Sequence, residues 1–157
     1  MLSKKILNFL EKSRAKYKVL NHRTVYTAFD KSQTLKVSPK IVGKTLILKA
    51  QKELIFVLIS ADKNLDLDKI KKKLKTKDVK LATEKEIIKK IKGVKVGAIP
   101  PFGNLWKIKT LIDNSFKKQK KMIINGGDWT VSIEISPKEL QKIVPDLIWG
   151  NFSKKKK

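Results

Sequence analysis

The chain has 157 residues, no cysteine, one histidine and only two arginines. Without cysteine there is no disulfide scaffold, no thiolate zinc site and no cysteine nucleophile. A single imidazole, His22, excludes a centre built on several histidine ligands. No apolar run reaches the roughly 18 residues that a membrane-spanning helix needs. The N-terminus interleaves lysines with apolar residues and lacks a small-residue cleavage site. It therefore reads as an amphipathic helix rather than a signal peptide, and the expected compartment is the cytoplasm. Acidic residues are also scarce, at 14 against 38 lysines and arginines, which leaves a formal net charge of +24.

What is present is lysine. Arg14 and Arg23 are the only arginines, so 36 of the basic residues are lysines. Residues 1–78 carry a net +13 and residues 79–157 a net +11, so the charge belongs to the whole fold and not to a tail. Such a field attracts polyanions and speeds encounter with them. Lysine meets phosphate as a point charge with little base specificity, so the charge suggests a nucleic-acid partner without naming a sequence. A solvated surface or a membrane-surface role accounts for the same charge. Hydrophobic residues make up 41%, enough for a real core. The length suits one domain, and no repeat or boundary divides it. The expected organisation is a single domain over 1–150 and a disordered basic tail over 151–157.

Apolar periodicity behind Ser3 predicts a helix over 3–16, followed by a short strand over 17–20. Thr27 is placed to cap a helix running towards Leu35, with Pro39 beyond it. Thr45 to Ala50 and Leu54 to Ser60 are two β-leaning runs around the polar turn Gln51-Lys52-Glu53, and their unbroken apolarity predicts central strands. Asp66 opens a helix, and Thr83 with Glu86 forms a capping box for another that Gly93 ends. Strands are expected over 108–112, 122–125 and 129–135, and Ser136-Pro137 starts a last helix. Without strict βαβ alternation this pattern favours an α+β fold.

Several segments could carry chemistry. Gly43-Lys44-Thr45 resembles the end of a P-loop, but Ser38 stands where its first glycine belongs and a strand follows instead of a helix, so nucleotide triphosphate hydrolysis is rejected. Lys44 sits at the mouth of a buried strand, where a charge needs a partner or must snorkel outward. Gly97-Ala98-Ile99-Pro100-Pro101-Phe102-Gly103 is either a structural turn or a backbone that approaches a ligand closely and polarises a carbonyl oxygen. Gly126-Gly127 leaves the same two readings open. His22 is the one side chain expected to titrate near neutral pH, unless it is purely structural. No carboxylate pair, serine elbow or metal-ligand set stands out, and no cofactor is expected.

In order and spacing these segments resemble the YbaK/prolyl-tRNA synthetase-associated editing domain family, from about Phe9 to Val144. The resemblance rests on five stretches: 22–27, the lysine strand 44–49, the helix start 65–70, the Gly/Pro loop 96–103, and the glycines with their strand at 125–127 and 131–135. It implies a mixed, largely antiparallel sheet, partly closed into a barrel, with helices outside. It also implies hydrolysis of the ester joining a wrong amino acid to tRNA, often tRNA for proline, by a freestanding enzyme. A synthetase or an elongation factor is an implied further partner. Lys44 then corresponds to the residue that engages the tRNA 3′-end, and Gly97 to the approach to the scissile carbonyl. His22, Tyr26, Thr27, Thr45, Leu46, Ala98, Ile99, Pro100, Phe102, Gly103, Gly126 and Gly127 are the implied substrate-binding positions. Leu48 is a further guessed wall of the pocket. The nucleophile implied is water, assisted by a hydroxyl of the terminal adenosine. Asp128-Trp129-Thr130 departs from the basic residue and glycine that many members carry there, which bears on amino-acid specificity. The rival readings are a non-catalytic basic RNA-binding module and, less fully, a protein-interaction domain.

Overall fold

Two strands, β2 (Gly43–Ala50) and β3 (Glu53–Ser60), form the hairpin around which the molecule is built. The computed structural model describes residues 2–156. Along β3, Phe56 and Leu58 point into one apolar cluster while Ile55, Val57 and Ile59 point into another. A strand buried on both faces can be apolar at every position, which explains the unbroken run. The hairpin turn places Gln51 in the left-handed region at φ 57°.

β2 and β3 are interior strands of a five-stranded sheet in the order β5–β2–β3–β6–β9, with β5 at Val79–Leu81, β6 at Lys109–Asp113 and β9 at Ile148–Gly150. β3 and β9 both pair with β6 in parallel, while β5–β2–β3 is antiparallel. β1 (Lys18–Asn21), β8 (Val131–Ile135) and β7 (Met122–Asn125) make a second, antiparallel sheet in the order β1–β8–β7. A third ladder joins β4 (Lys63–Leu65) to β10 (Ser153–Lys155). The expected α+β fold with a largely antiparallel sheet is therefore present, but among the described residues the ladders form three sheets and no closed barrel. The two larger sheets meet at one parallel bridge, Val42 to Ile123.

The helices cover these sheets. α1 (Lys4–Lys12) is capped by the Ser3 hydroxyl and buries Ile6 and Leu10. It stops four residues short of the expected end because Arg14 turns left-handed at φ 54° and the Ala15 N–H returns to Leu10 O. α2 (Ala28–Leu35) starts at the expected Thr27 cap and lies over the bridge between the sheets. α3 (Leu67–Leu74) buries Ile70 against the second face of the large sheet. α4 (Glu84–Lys90) carries the expected capping box of Thr83 and Glu86 but ends at Ile91, two residues before Gly93. α5 (Pro137–Ile143) starts behind Ser136 as the sequence indicates.

The C-terminal segment is not the disordered tail that its lysines suggest. Phe152 is 1% exposed, and its N–H donates to Asp113 Oδ1 at 2.8 Å, while the Ser153 hydroxyl donates to Asp113 Oδ2 at 3.0 Å. One buried aromatic and one buried carboxylate thus dock the chain, and β10 follows while Lys154 and Lys155 stay exposed. Lys157 lies outside the described residues.

Candidate active site

The seam between the two larger sheets opens a cavity of about 260 Å³. Its walls come from four places. The start of β2 supplies Lys44, Thr45 and Leu46; the segment entering α2 supplies Val25, Tyr26, Thr27 and Ala28; the Gly/Pro loop supplies Gly97 and Ala98; and the end of β7 with its following turn supplies Asn125, Asp128 and Trp129. Lys31, one turn into α2, completes the lining.

Seven of the expected positions meet here: Tyr26, Thr27, Lys44, Thr45, Leu46, Gly97 and Ala98. The others lie elsewhere. Ile99 and Phe102 are core residues, with the Phe102 ring 5.0 Å from Phe9, and Pro100 is buried beside them. Leu48 is fully buried in the cluster under α3. Gly103 is packed so tightly that an added Cβ would lie 2.3 Å from Ile108 O, so a glycine is needed for close approach of two backbones. Gly126 and Gly127 back onto Leu2 and Ile6 of the N-terminal segment. They still serve the site indirectly, because Gly127 N–H donates to Ala98 O and Gly127 O accepts from Lys95, which holds the loop in place. His22 sits at the end of the β1–β8 ladder, with Nδ1 2.7 Å from Arg23 O and Nε2 2.9 Å from the Ser132 hydroxyl.

Within the loop, the Ala98 N–H is taken by Lys95 O and the Gly103 N–H by the Thr110 hydroxyl. Among the described residues the Gly97 N–H has no such acceptor. Gly97 is exposed at the rim with φ +86°, a conformation an L-residue adopts only under strain. The Ile99 and Phe102 N–H groups have no acceptor among the described residues either, but those residues are buried in the core, so Gly97 carries the unpaired donor of this loop that stands at the exposed rim.

Most polar side chains of the cavity already have partners. Lys44 donates from Nζ to Lys63 O at 2.7 Å. Burial first, and then the Lys156 charge, push its pKa down, while Asp62 pulls it up. Burial acts to raise the pKa of Asp128, but the Lys95 ammonium at 3.2 Å, with the Thr130 N–H and hydroxyl, outweighs that and holds the carboxyl below its usual range. Asp128 is thus an anion at neutral pH. Trp129 also lines the cavity. Its Nε1 donates to Val96 O, its ring meets Tyr26 edge-on at 5.1 Å, and Lys95 stands 4.7 Å over its face.

Lys31 was not foreseen. It is 5% exposed, and burial lowers its pKa to about 8. Its ammonium donates to Asn125 Oδ1 at 2.7 Å. The Asn125 amide is oriented for this, because its Nδ2 donates to Ile99 O at 3.2 Å. A lysine inside the helix Ala28-Phe29-Asp30-Lys31 reads in sequence as one more surface charge; only the docking of α2 over the sheet seam turns it inward. Among the described residues no three histidine, aspartate or glutamate side chains cluster as metal ligands would.

Residues 22–143 match the aminoacyl-tRNA editing domain family, a span that includes both β2 and the loop at Gly97. The chain is 36% identical over 108 residues to a proline–tRNA ligase of Aquifex aeolicus, covering 67% of this chain and 19% of that protein. It is 34% identical over 102 residues to the proline–tRNA ligase of Thermotoga sp. strain RQ2, covering 65% of this chain and 17% of that one. The chain thus spans about a fifth of the length of these relatives. Among solved structures, a candidate trans-editing enzyme for prolyl tRNA synthetase superposes with a TM-score of 0.82 at 21% identity, over 98% of this chain and 99% of that one. A hypothetical protein superposes at 0.86 with 24% identity, over 96% and 100%. No helix of the described residues is long and apolar enough to cross a membrane. On the family match, which covers well over half of its length, the chain belongs to the aminoacyl-tRNA editing domain family.

Proposed function

We propose that this protein hydrolyses the ester of a mischarged tRNA, with tRNA for proline the first candidate, and that it acts in trans. The observation that carries the reading is the cavity itself. Its lining brings together the exposed Gly97, whose N–H has no protein acceptor among the described residues, and Lys44, and its space of about 260 Å³ suits an aminoacyl group and little more. The names of the relatives support proline as the identity of the tRNA, and the near-complete overlap with a candidate trans-editing enzyme supports action on a tRNA charged elsewhere.

In this mechanism the ester carbonyl points at Gly97 and its N–H stabilises the oxyanion that forms when water attacks, worth about 3 kcal/mol for one well-placed donor. The bond from the carbonyl carbon to the ribose oxygen then breaks, and that oxygen takes up a proton. The adjacent ribose hydroxyl assists the water, so no protein base is called for. Lys44 keeps two ammonium protons beyond the one given to Lys63 O, and they hold the terminal phosphate. A second pocket of this kind is useful because binding differences between small side chains are worth only about 1–3 kcal/mol in a synthetase.

The test is hydrolysis of mischarged tRNA for proline by the wild type and by Lys44→Ala. The wild type should release the amino acid, and the variant should be slower by at least about tenfold in kcat/KM with an unchanged circular dichroism spectrum. Equal rates would remove Lys44 from the site, and no hydrolysis by either would reject the deacylase.

A further inference from the structure

The floor of the cavity holds more hydrogen-bonding capacity than the protein uses. Lys31 has three ammonium donors, and Asn125 Oδ1 takes one of them. The Thr45 hydroxyl, in the same lining, is buried with no partner among the described residues. Buried polar groups are rarely left in this state unless a ligand or water completes them. Of the other charged groups facing the cavity, Asp128 is engaged by Lys95 and Thr130, and Lys44 donates to Lys63 O and, in the proposed mechanism, gives its two remaining donors to the terminal phosphate. The open capacity that the tRNA end does not claim therefore belongs to Lys31 and Thr45.

Depth decides which part of a substrate reaches them. Tyr26, 65% exposed, and Gly97 mark the mouth, whereas Lys31 is 5% exposed. An aminoacyl ester whose carbonyl meets Gly97 leaves its ribose and phosphates outside and directs its side chain inward. From this we infer that Lys31, with Thr45 in the same lining, is the specificity-determining floor of the pocket, and that the amino acid taken there carries an oxygen on a short side chain, as a hydroxyl or a carboxylate. Apolar side chains of the same shape are refused, because they would leave an ammonium and a hydroxyl buried without partners. The inference rests on the deacylase reading for the identity of the ligand but not for its test.

The test uses binding, so that it does not depend on turnover. Adenosine bearing a 3′-amide-linked amino acid, which cannot be hydrolysed as an ester, is titrated into the whole protein by calorimetry. Seryl is compared with its isostere 2-aminobutyryl (and with the smaller alanyl), threonyl with valyl, and aspartyl separates carboxylate from hydroxyl. In the wild type the oxygen-bearing member of each isosteric pair should bind at least about fivefold more tightly. Lys31→Met should bring the pairs to within about twofold of each other while its thermal transition stays cooperative. Lys31→Arg, which keeps the charge, should retain part of the preference should Met prove too disruptive. Equal affinity within the pairs in the wild type, a preference that survives in Lys31→Met, or no binding of any analogue would each overturn the inference. Hydrolysis of the matching seryl and alanyl esters separates the two claims. Selective binding without ester loss would leave Lys31 in its role and reject the deacylase.

Discussion

Lys31 carries a cost in the fold, and Gly97 a backbone conformation suited to glycine, that their positions in the cavity explain. Burial lowers the Lys31 pKa from 10.5 to about 8. Between those values the unfolded chain binds more protons than the folded one, so stability should rise with pH across that window, and the penalty is fully present at pH 7. The shift corresponds to about 3 kcal/mol, and losing the donor to Asn125 Oδ1 offsets about 1–2 kcal/mol of it. Lys31→Met should therefore stabilise the protein by about 1–2 kcal/mol at pH 7 and lose that advantage near pH 10.5, as read by urea denaturation at the two pH values. A variant that is more stable yet less selective is the pattern expected of a functional residue. Gly97→Ala forces a Cβ into the left-handed region, at about 1 kcal/mol, although the nearest atom, Trp129 Nε1, leaves room at 3.7 Å. Its thermal midpoint should fall by a few degrees, while kcat for deacylation should fall by at least about tenfold as the N–H is re-aimed.

At the scale of elements, the C-terminal strand is held in place chiefly through one buried aromatic and one buried carboxylate. Phe152 is packed beside Ile70, Val57 and Leu111 in the cluster under α3, and Asp113 receives both its N–H and the next hydroxyl. Phe152→Ala should cost about 3–5 kcal/mol in urea denaturation and release β10 to fast amide hydrogen exchange. Loss of β10 should reach the cavity too, since Lys44 is anchored on Lys63 O of the strand that β10 pairs with. This element was hidden in the sequence because its signal is one phenylalanine followed by lysines, and a strand edge tolerates lysine as readily as a disordered tail does. The elements that could be read in advance carry their own punctuation: Thr27, Thr83 with Glu86, and Ser136 before Pro137 fix helix starts from three or four residues each. β2 and β3 were legible as central strands from unbroken apolarity. β4, β5 and β9 are three residues long and hold their place through partners distant in sequence. The same limit applied to the site. Lys44 and Gly97 stand in recognisable local patterns, whereas Lys31 and Asn125 join them only after two sheets and a helix have docked.

For the whole molecule, the +24 charge acts at a distance while the cavity acts at contact. A shallow groove of about 730 Å³ lies at the far end of β2 from Lys44, lined by Lys52, Lys89, Lys90, Lys107 and Lys109. In the same groove the Lys49 ammonium, by hydrogen bonding, and then the Thr83 N–H hold the Glu86 carboxyl down to about 2, so that pair contributes no net charge at neutral pH. Affinity for tRNA should fall steeply between about 50 and 200 mM salt, and Lys89→Glu with Lys90→Glu should flatten that slope while leaving hydrolysis of a small aminoacyl-adenosine ester unchanged. A salt-independent affinity would mean that the lysines do not hold the RNA. The most direct measurement is ester loss over time from a panel of mischarged tRNAs for proline incubated with the wild-type protein. Release at least about tenfold above the uncatalysed rate on one or more members, fastest where the amino acid carries a side-chain oxygen, is the predicted result. Binding of every member with no release above background would contradict it and leave a basic RNA-binding module in place of an enzyme.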